Sequence, residues 1–168
     1  MKAGLIVQHG DRNHLEVRND YPKPEVGPGE VLVNVKACGL NHLDIFVRRG
    51  IPGRTLPLPH ISGGDIAGVV AEVGDGVSNV KVGDRVMLDP LVEGEALGED
   101  RTGGLAEYAK VPAENCLPLP DEVSFEEAAS LPIAYGTAWR MLINRGNLKV
   151  NETVLILGAS GGVGTAAA

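Results

Sequence analysis

The stretch "ETVLILGASGGVGTAAA", from Glu152 to Ala168, limits the possible folds of this chain more than any other. Its first half, "ETVLILG", is a continuous apolar run of the kind that fills a strand buried on both faces of a parallel sheet. Its second half has glycines at 158, 161, 162 and 164 and leads into a helix-forming "TAAA". Glycine allows positive φ in the turn and close approach of backbone to ligand, and a new helix offers unpaired N–H groups with a positive dipole end. Strand, glycine loop and helix start in this order predict a dinucleotide-binding corner. A complete βαβ unit takes roughly thirty residues or more, and its parallel strand needs neighbours. The segment is therefore expected to be the first corner of such a unit, with the side chain that chooses between NAD and NADP lying beyond Ala168.

The residues before it follow a different period. In "EVLVNVKA", Val31, Val33 and Val35 share one face opposite Asn34 and Lys36, which predicts a half-buried strand. "DIAGVVAEVG" is apolar on both faces until Glu72 and is expected to lie deeper. "AGLIVQ", "HLEVRN", "DRVMLD" and "LAEYAKV" are further strand candidates, separated by turns such as "VGPGE" and "GDGVSN". Short strands between glycine and proline turns point to a small antiparallel barrel or sandwich. "NHLDIFVRRG" predicts one helix within it, capped by Asn41, ended by Gly50, and with Leu43, Phe46 and Val47 on its packed face. Near residue 120 the pattern becomes α/β. Ser124 and Glu127 form a capping box, and "YGTAWRMLINRG" predicts a helix with Ala138, Met141 and Leu142 on one side, ending at Gly146.

The 168 residues carry a formal charge of −7 with no basic block, which argues against nucleic acid or an anionic membrane as partner. The N-terminus turns polar too soon for a secretory signal or a membrane span, so a cytoplasmic location is expected. Cys38 and Cys116 are too few for a disulfide framework or a four-thiolate metal site.

In this order, "KACGLNHLDIFVRRG", "GGDIAGVVAEVGDGVSNVKVGDRV", "GGLAEYAKVP", "LPIAYGTAW" and "LGASGGVG" resemble the medium-chain dehydrogenase/reductase superfamily, the relatives of zinc alcohol dehydrogenases and quinone oxidoreductases. The resemblance covers nearly the whole chain. It implies a mainly β GroES-like catalytic barrel over 1–120, connecting helices over 121–150, and over 151–168 the truncated beginning of an α/β Rossmann domain. It also implies an active site in the cleft between the domains, a small-molecule substrate, and a homo-oligomer, dimer or tetramer, at full length. Where zinc-using relatives place their catalytic ligands, this chain has Asn41, Gly64 and Ile133, none of them a strong zinc ligand. Asp44 and Asp65 match carboxylates near the metal in those relatives. Cys38 and His60 stand three and four residues ahead of ligand positions, and His60, after "LPLP", is expected in a loop. Many relatives carry a lobe with four cysteines; here "MLDPLVEGEALGEDRTGG" has none, and Glu93 to Asp100 is expected to be a solvated loop.

The expected chemistry is therefore zinc-independent hydride transfer from NADP(H) or NAD(H) to an activated alkene, quinone or carbonyl, with hydrogen-bond donors stabilising the oxyanion that develops. Asn41 is placed at the reaction centre, as an amide donor or a ribose contact. His42 is placed near the cofactor phosphates, and Thr137 against the nicotinamide. Gly158, Ser160, Gly161, Gly162, Val163 and Gly164 form the pyrophosphate loop. Tyr135 is read either as a cleft residue or as a core tyrosine, and Trp139 is expected to pack. Two further readings stay open: a zinc alcohol dehydrogenase with non-standard ligands, and a non-catalytic scaffold or shortened form of the same superfamily.

Overall fold

β3 (Glu30–Gly39) and β4 (Asp65–Val73) pair antiparallel and form the spine on which the other elements pack. The computed structural model describes residues Met1–Ala168. β4 lies between β3 and β5 (Arg85–Leu88), with its residues from Asp65 to Gly68 buried, in line with an apolar pattern on both faces. β8 (Tyr108–Pro112) and β9 (Cys116–Pro118) complete an antiparallel sheet in the order β8-β3-β4-β5-β9. Val31, Val33, Ile66, Val70, Val86 and Leu88 form the centre of its core. The register of β3 on β4 shifts between Leu32 and Val33 and again between Val35 and Ala37. Such bulges bend a strand and break strict alternation; Leu32 is accordingly as fully buried as Val31 and Val33.

β1 (Ala3–Ile6) and β2 (Leu15–Arg18) make a separate hairpin. It is joined to the body by Gly4 N–H donating to Leu105 O at 2.7 Å and by reciprocal bonds between Ile6 and His60 at 2.8 and 3.0 Å. β2 is exposed along its whole length. His60 is a correction to the sequence reading: it is no surface loop residue but bridges to β1 and is only 4 % exposed. The acidic stretch needs another. Residues Leu91–Val92 (β6) and Glu95–Ala96 (β7) form a tight hairpin, with Glu93 and Gly94 at φ +51° and +88° as a two-residue turn of this type demands. Arg101 pairs with Glu93 and Glu95 at 2.8 and 2.6 Å, and Arg54 with Glu99 and Asp100. The expectation holds for Glu93 and Glu95, which stay exposed, but Leu97 and Gly98 are buried and the ion pairs tie the segment to the body.

α1 (His42–Arg49) starts at Asn41 and stops at Gly50, which takes φ +91°. Val47 is its buried residue, whereas Phe46 is about half exposed, so the packed face is narrower than predicted. α2 (Phe125–Ala128) begins with the predicted capping box, Ser124 accepting from Glu127 N–H and Glu127 accepting from Ser124 N–H. Ala128 and Ala129 pack on Ala67 of β4, and the Arg85 guanidinium stacks 4.5 Å from the Phe125 ring. α3 (Pro132–Trp139) starts earlier than predicted, with proline in its first turn, and continues as a π-helical stretch, Arg140–Arg145, up to Gly146. Ala138 is buried there; Met141 is 58 % exposed, contrary to its predicted place. Residues 152–156 form no strand, and Leu155 and Leu157 are 84 % and 85 % exposed. A buried parallel strand needs partners on both edges, and no strand of this chain lies beside them. α4 (Gly162–Ala167) follows the glycine loop. No helix is long and apolar enough to cross a membrane.

Ile66 is fully buried at the centre of the spine. Ile66→Ala is expected to lower the unfolding free energy by about 2–5 kcal/mol, read as a drop in the urea midpoint with an unchanged slope.

Candidate functional site

Where β3 leaves the sheet, the chain passes Gly39 and Leu40 and reaches Asn41 at the start of α1. Two carboxylates meet it there. Asp44, in the first turn of α1, accepts Asn41 N–H at 2.7 Å with one oxygen and Gly63 N–H at 2.8 Å with the other. Asp65, the first residue of β4 and only 2 % exposed, accepts the Asn41 side-chain amide at 2.8 Å and Ile133 N–H at 2.7 Å. Burial pushes the Asp65 carboxyl above its ordinary range, the hydrogen bonds from Asn41 and Ile133 pull it back, and the nearby Asp44 charge adds to the rise. The corner is tight: a Cβ on Gly39 would stand 2.3 Å from Ala129 O and 2.9 Å from Asp65 Cβ.

Beside this corner lies a cleft of about 510 Å³. Its barrel side is the end of β3 with Asn41 and Asp65, its helical side includes Ala134 and Tyr135 of α3, and its far side is formed by Ser160, Gly162 and Thr165. The structure therefore brings Asn41, Ser160 and Gly162 of the predicted site residues together, with Tyr135. His42 is exposed and faces a neighbouring hollow of about 350 Å³ that shares Leu40 and Asn41 with the cleft. Thr137 is exposed on α3, two residues beyond Tyr135, and is not among the residues that line the cleft. Gly158, Gly161, Val163 and Gly164 shape the loop behind Ser160 and Gly162 instead of lining the cleft themselves.

The loop depends on its glycines. Gly158 takes φ +71° with open space where a Cβ would be, and a Cβ on Gly164 would come within 2.3 Å of Gly158 O. Helix start and loop therefore close on one another as they do only for glycine. Thr165 Oγ1 donates to Ala159 O at 3.2 Å and braces the turn.

The donor set does not fit a catalytic zinc. No group of three or more His, Cys, Asp or Glu side chains is placed to hold a metal. A Cβ on Gly64 would meet Leu97 O at 2.7 Å and Ile133 Cδ1 at 2.8 Å, so the backbone there leaves no room for a ligating side chain. Neither of the offset candidates replaces it. His60 Nε2 donates to Gly98 O at 3.1 Å inside the protein, and burial, foremost, holds its pKa below the ordinary value. Cys38 is a half-buried thiol of the cleft wall, pushed up to about 12 by desolvation first and then by Asp44 and Asp65, so it is not a ready thiolate ligand.

Asp65 and Thr165 are the residues that reasoning from sequence undervalued. The signal for Asp65 was present, a single acid opening an otherwise apolar run. Such a residue must find hydrogen-bond donors when its strand is buried. Thr165 carried only a helix-start signal, and nothing local indicates that it reaches the cleft.

Residues 27–121 match the family described as "Alcohol dehydrogenase GroES-like domain". The chain is 38 % identical over 167 residues to the quinone oxidoreductase of Homo sapiens, aligning 99 % of itself with 48 % of that protein. In structure it resembles an NAD-dependent alcohol dehydrogenase with a TM-score of 0.93 and 41 % identity, over 99 % of this chain and 53 % of that one. It also resembles a cobalt- and zinc-bound thermostable alcohol dehydrogenase from Pyrobaculum aerophilum, with a TM-score of 0.89 and 36 % identity, over 99 % and 54 % of the two chains. The chain spans about half the length of the relatives it matches.

Buried His60 also gives the fold a pH response. Its native pKa lies below the ordinary 6.5, so between those two values the unfolded chain binds the extra proton. Stability is full above the unfolded value and falls as pH drops towards the native one. Between about pH 7.5 and about pH 5, His60→Gln is expected to flatten this loss, measured by urea unfolding at each pH.

Proposed function

The chain belongs to the alcohol dehydrogenase GroES-like family, within the medium-chain dehydrogenase/reductase superfamily, and from that premise we propose that it is the acceptor-binding part of a nicotinamide-dependent oxidoreductase that reduces activated alkenes, quinones or carbonyls without zinc. The observation that carries this reading is the cleft, in which an amide fixed by a buried carboxylate lies across from a glycine-rich loop. Residues 1–120 are the catalytic barrel in this reading, 121–150 the connection, and 151–168 the opening of the cofactor domain.

Bound at the loop, NADPH or NADH supplies the hydride. Ser160 and the backbone N–H groups of Gly162 and Val163 would hold its pyrophosphate, with Gly158, Gly161, whose N–H bonds Gly158 O, and Gly164 setting the turn and His42 offering a donor from the rim. Without a Lewis acid the acceptor has to be electrophilic already, which selects α,β-unsaturated carbonyls and quinones. Hydride adds to the β-carbon, or to the quinone, and the displaced electron pair collects on the acceptor oxygen. Asn41 donates to that oxygen through the amide hydrogen that Asp65 leaves free, and a proton from solvent completes the reduction. Ala37, Leu40, Ala129 and Ala134 offer the acceptor apolar contact. A zinc alcohol dehydrogenase is the less supported reading, because Gly64 leaves no room for a ligand.

The whole protein is expected to retain NADPH or NADH in native mass spectrometry and to oxidise it with an ortho-quinone or an unsubstituted enone, at a rate unchanged by 1,10-phenanthroline. Asn41→Ala should lower kcat/KM on the order of 10²-fold, with a much smaller effect on cofactor affinity. Loss of activity on chelation with recovery on adding zinc, or cofactor binding without turnover of any such acceptor, overturns the proposal.

A further inference from the structure

We propose that Asp65 is the positioning residue of this site: its buried carboxylate holds the Asn41 amide in one orientation, with one N–H committed and the other left for a ligand, and ties that amide to the start of α3. The inference rests on the reading of Asn41 as the group that meets the acceptor oxygen. An asparagine amide has two ends of equal size, an NH₂ that donates and an oxygen that accepts, and a half-turn exchanges them. A free Asn41 would present either end. Asp65 Oδ2 accepts from Asn41 Nδ2 at 2.8 Å, so the amide is held with its nitrogen inward. One hydrogen of that NH₂ is then used, and the other remains for a ligand. The opposite orientation would set oxygen against oxygen.

The carboxylate cannot turn either. Its second oxygen accepts Ile133 N–H at 2.7 Å, and Gly39 packs so closely that a Cβ there would lie 2.9 Å from Asp65 Cβ. Ile133 directly precedes Ala134 and Tyr135, which line the helical wall of the cleft. One buried side chain thus fixes both the polar group on the barrel side and the wall opposite it. Asp44 completes the arrangement from the backbone side, holding Asn41 N–H and Gly63 N–H. A single asparagine is therefore held by two carboxylates, one on its main chain and one on its side chain.

Two variants test this. In Asp65→Asn the new amide keeps Ile133 N–H with its oxygen and turns its nitrogen to Asn41, which must then rotate its own oxygen inward. In the double variant Asn41→Asp/Asp65→Asn the hydrogen bond returns with reversed polarity, but a carboxylate faces the cleft. The readouts are the ¹⁵N-labelled Asn41 side-chain resonance, the thermal midpoint, and kcat and KM of the whole protein with NADPH and an ortho-quinone. Asp65→Asn is expected to shift the Asn41 resonance and to lower kcat on the order of 10²-fold, leaving the KM for NADPH nearly unchanged. The double variant should recover the thermal midpoint without recovering kcat. An unshifted resonance, an unchanged kcat in Asp65→Asn, or recovery of both midpoint and kcat in the double variant overturns the inference. A wild-type protein with no turnover overturns the underlying reading instead, and the Asn41 resonance, which needs neither cofactor nor acceptor, then decides the inference.

Discussion

A carboxylate placed in a protein interior costs several kcal/mol unless donors replace its water, and the region around the cleft is arranged to provide them for Asp65. Asp65 opens the central strand, so its donors must come from outside the sheet. They come from the Asn41 amide where β3 turns into α1 and from Ile133 N–H in the first turn of α3. Satisfying one buried charge thus draws together two segments 92 residues apart in sequence. The cleft is the space left beside that junction.

The second constraint is steric. Gly39, Gly63, Gly64, Gly98, Gly103 and Gly104 stand where backbone meets backbone or a buried side chain, and a Cβ at any of them would fall within 3 Å of a neighbour. These close contacts stack the segment ahead of β4 on the loop after β7 and hold Cys38 beneath Gly63. They also determine which chemistry the corner can take up. A chain packed this closely at Gly64 has no room for an imidazole, and the corner beside it presents the Asn41 amide. An amide donates a hydrogen bond to a growing negative charge but does not polarise a carbonyl as a metal does. The proposed preference for acceptors that are already electrophilic follows from this packing.

Much of the fold was legible from local chemistry. The alternation of β3, the two-sided apolar run of β4, the start of α1 at Asn41 and the Ser124–Glu127 capping box each depend on residues a few positions apart. The misreadings depend on distant partners. Phe46 and Met141 have helical spacing that fits a packed face, yet about half of each side chain stays exposed. His60 follows two prolines and reads as a loop residue, but Ile6, more than fifty residues earlier, pairs with it and buries it. Glu93 to Asp100 reads as solvated because the arginines that neutralise it, Arg54 and Arg101, cannot be assigned to it from sequence.

The residues from Thr153 to Leu157 show the same division from the other side, since their composition suits a strand buried on both faces and the structure leaves them outside any strand and largely exposed. Sequence alone determined the family, the β-rich character of the first 120 residues, the glycine loop and the identity of Asn41 as a polar group at a strategic corner, because turns, caps and periodicity are properties of near neighbours. Only the tertiary structure decided that Asp65 holds Asn41, that Tyr135 and Thr165 share its cleft while Thr137 does not, and that Gly64 excludes a ligand. Those facts are distances between segments far apart in the chain, set by how the sheet, the helices and the loop close upon one another.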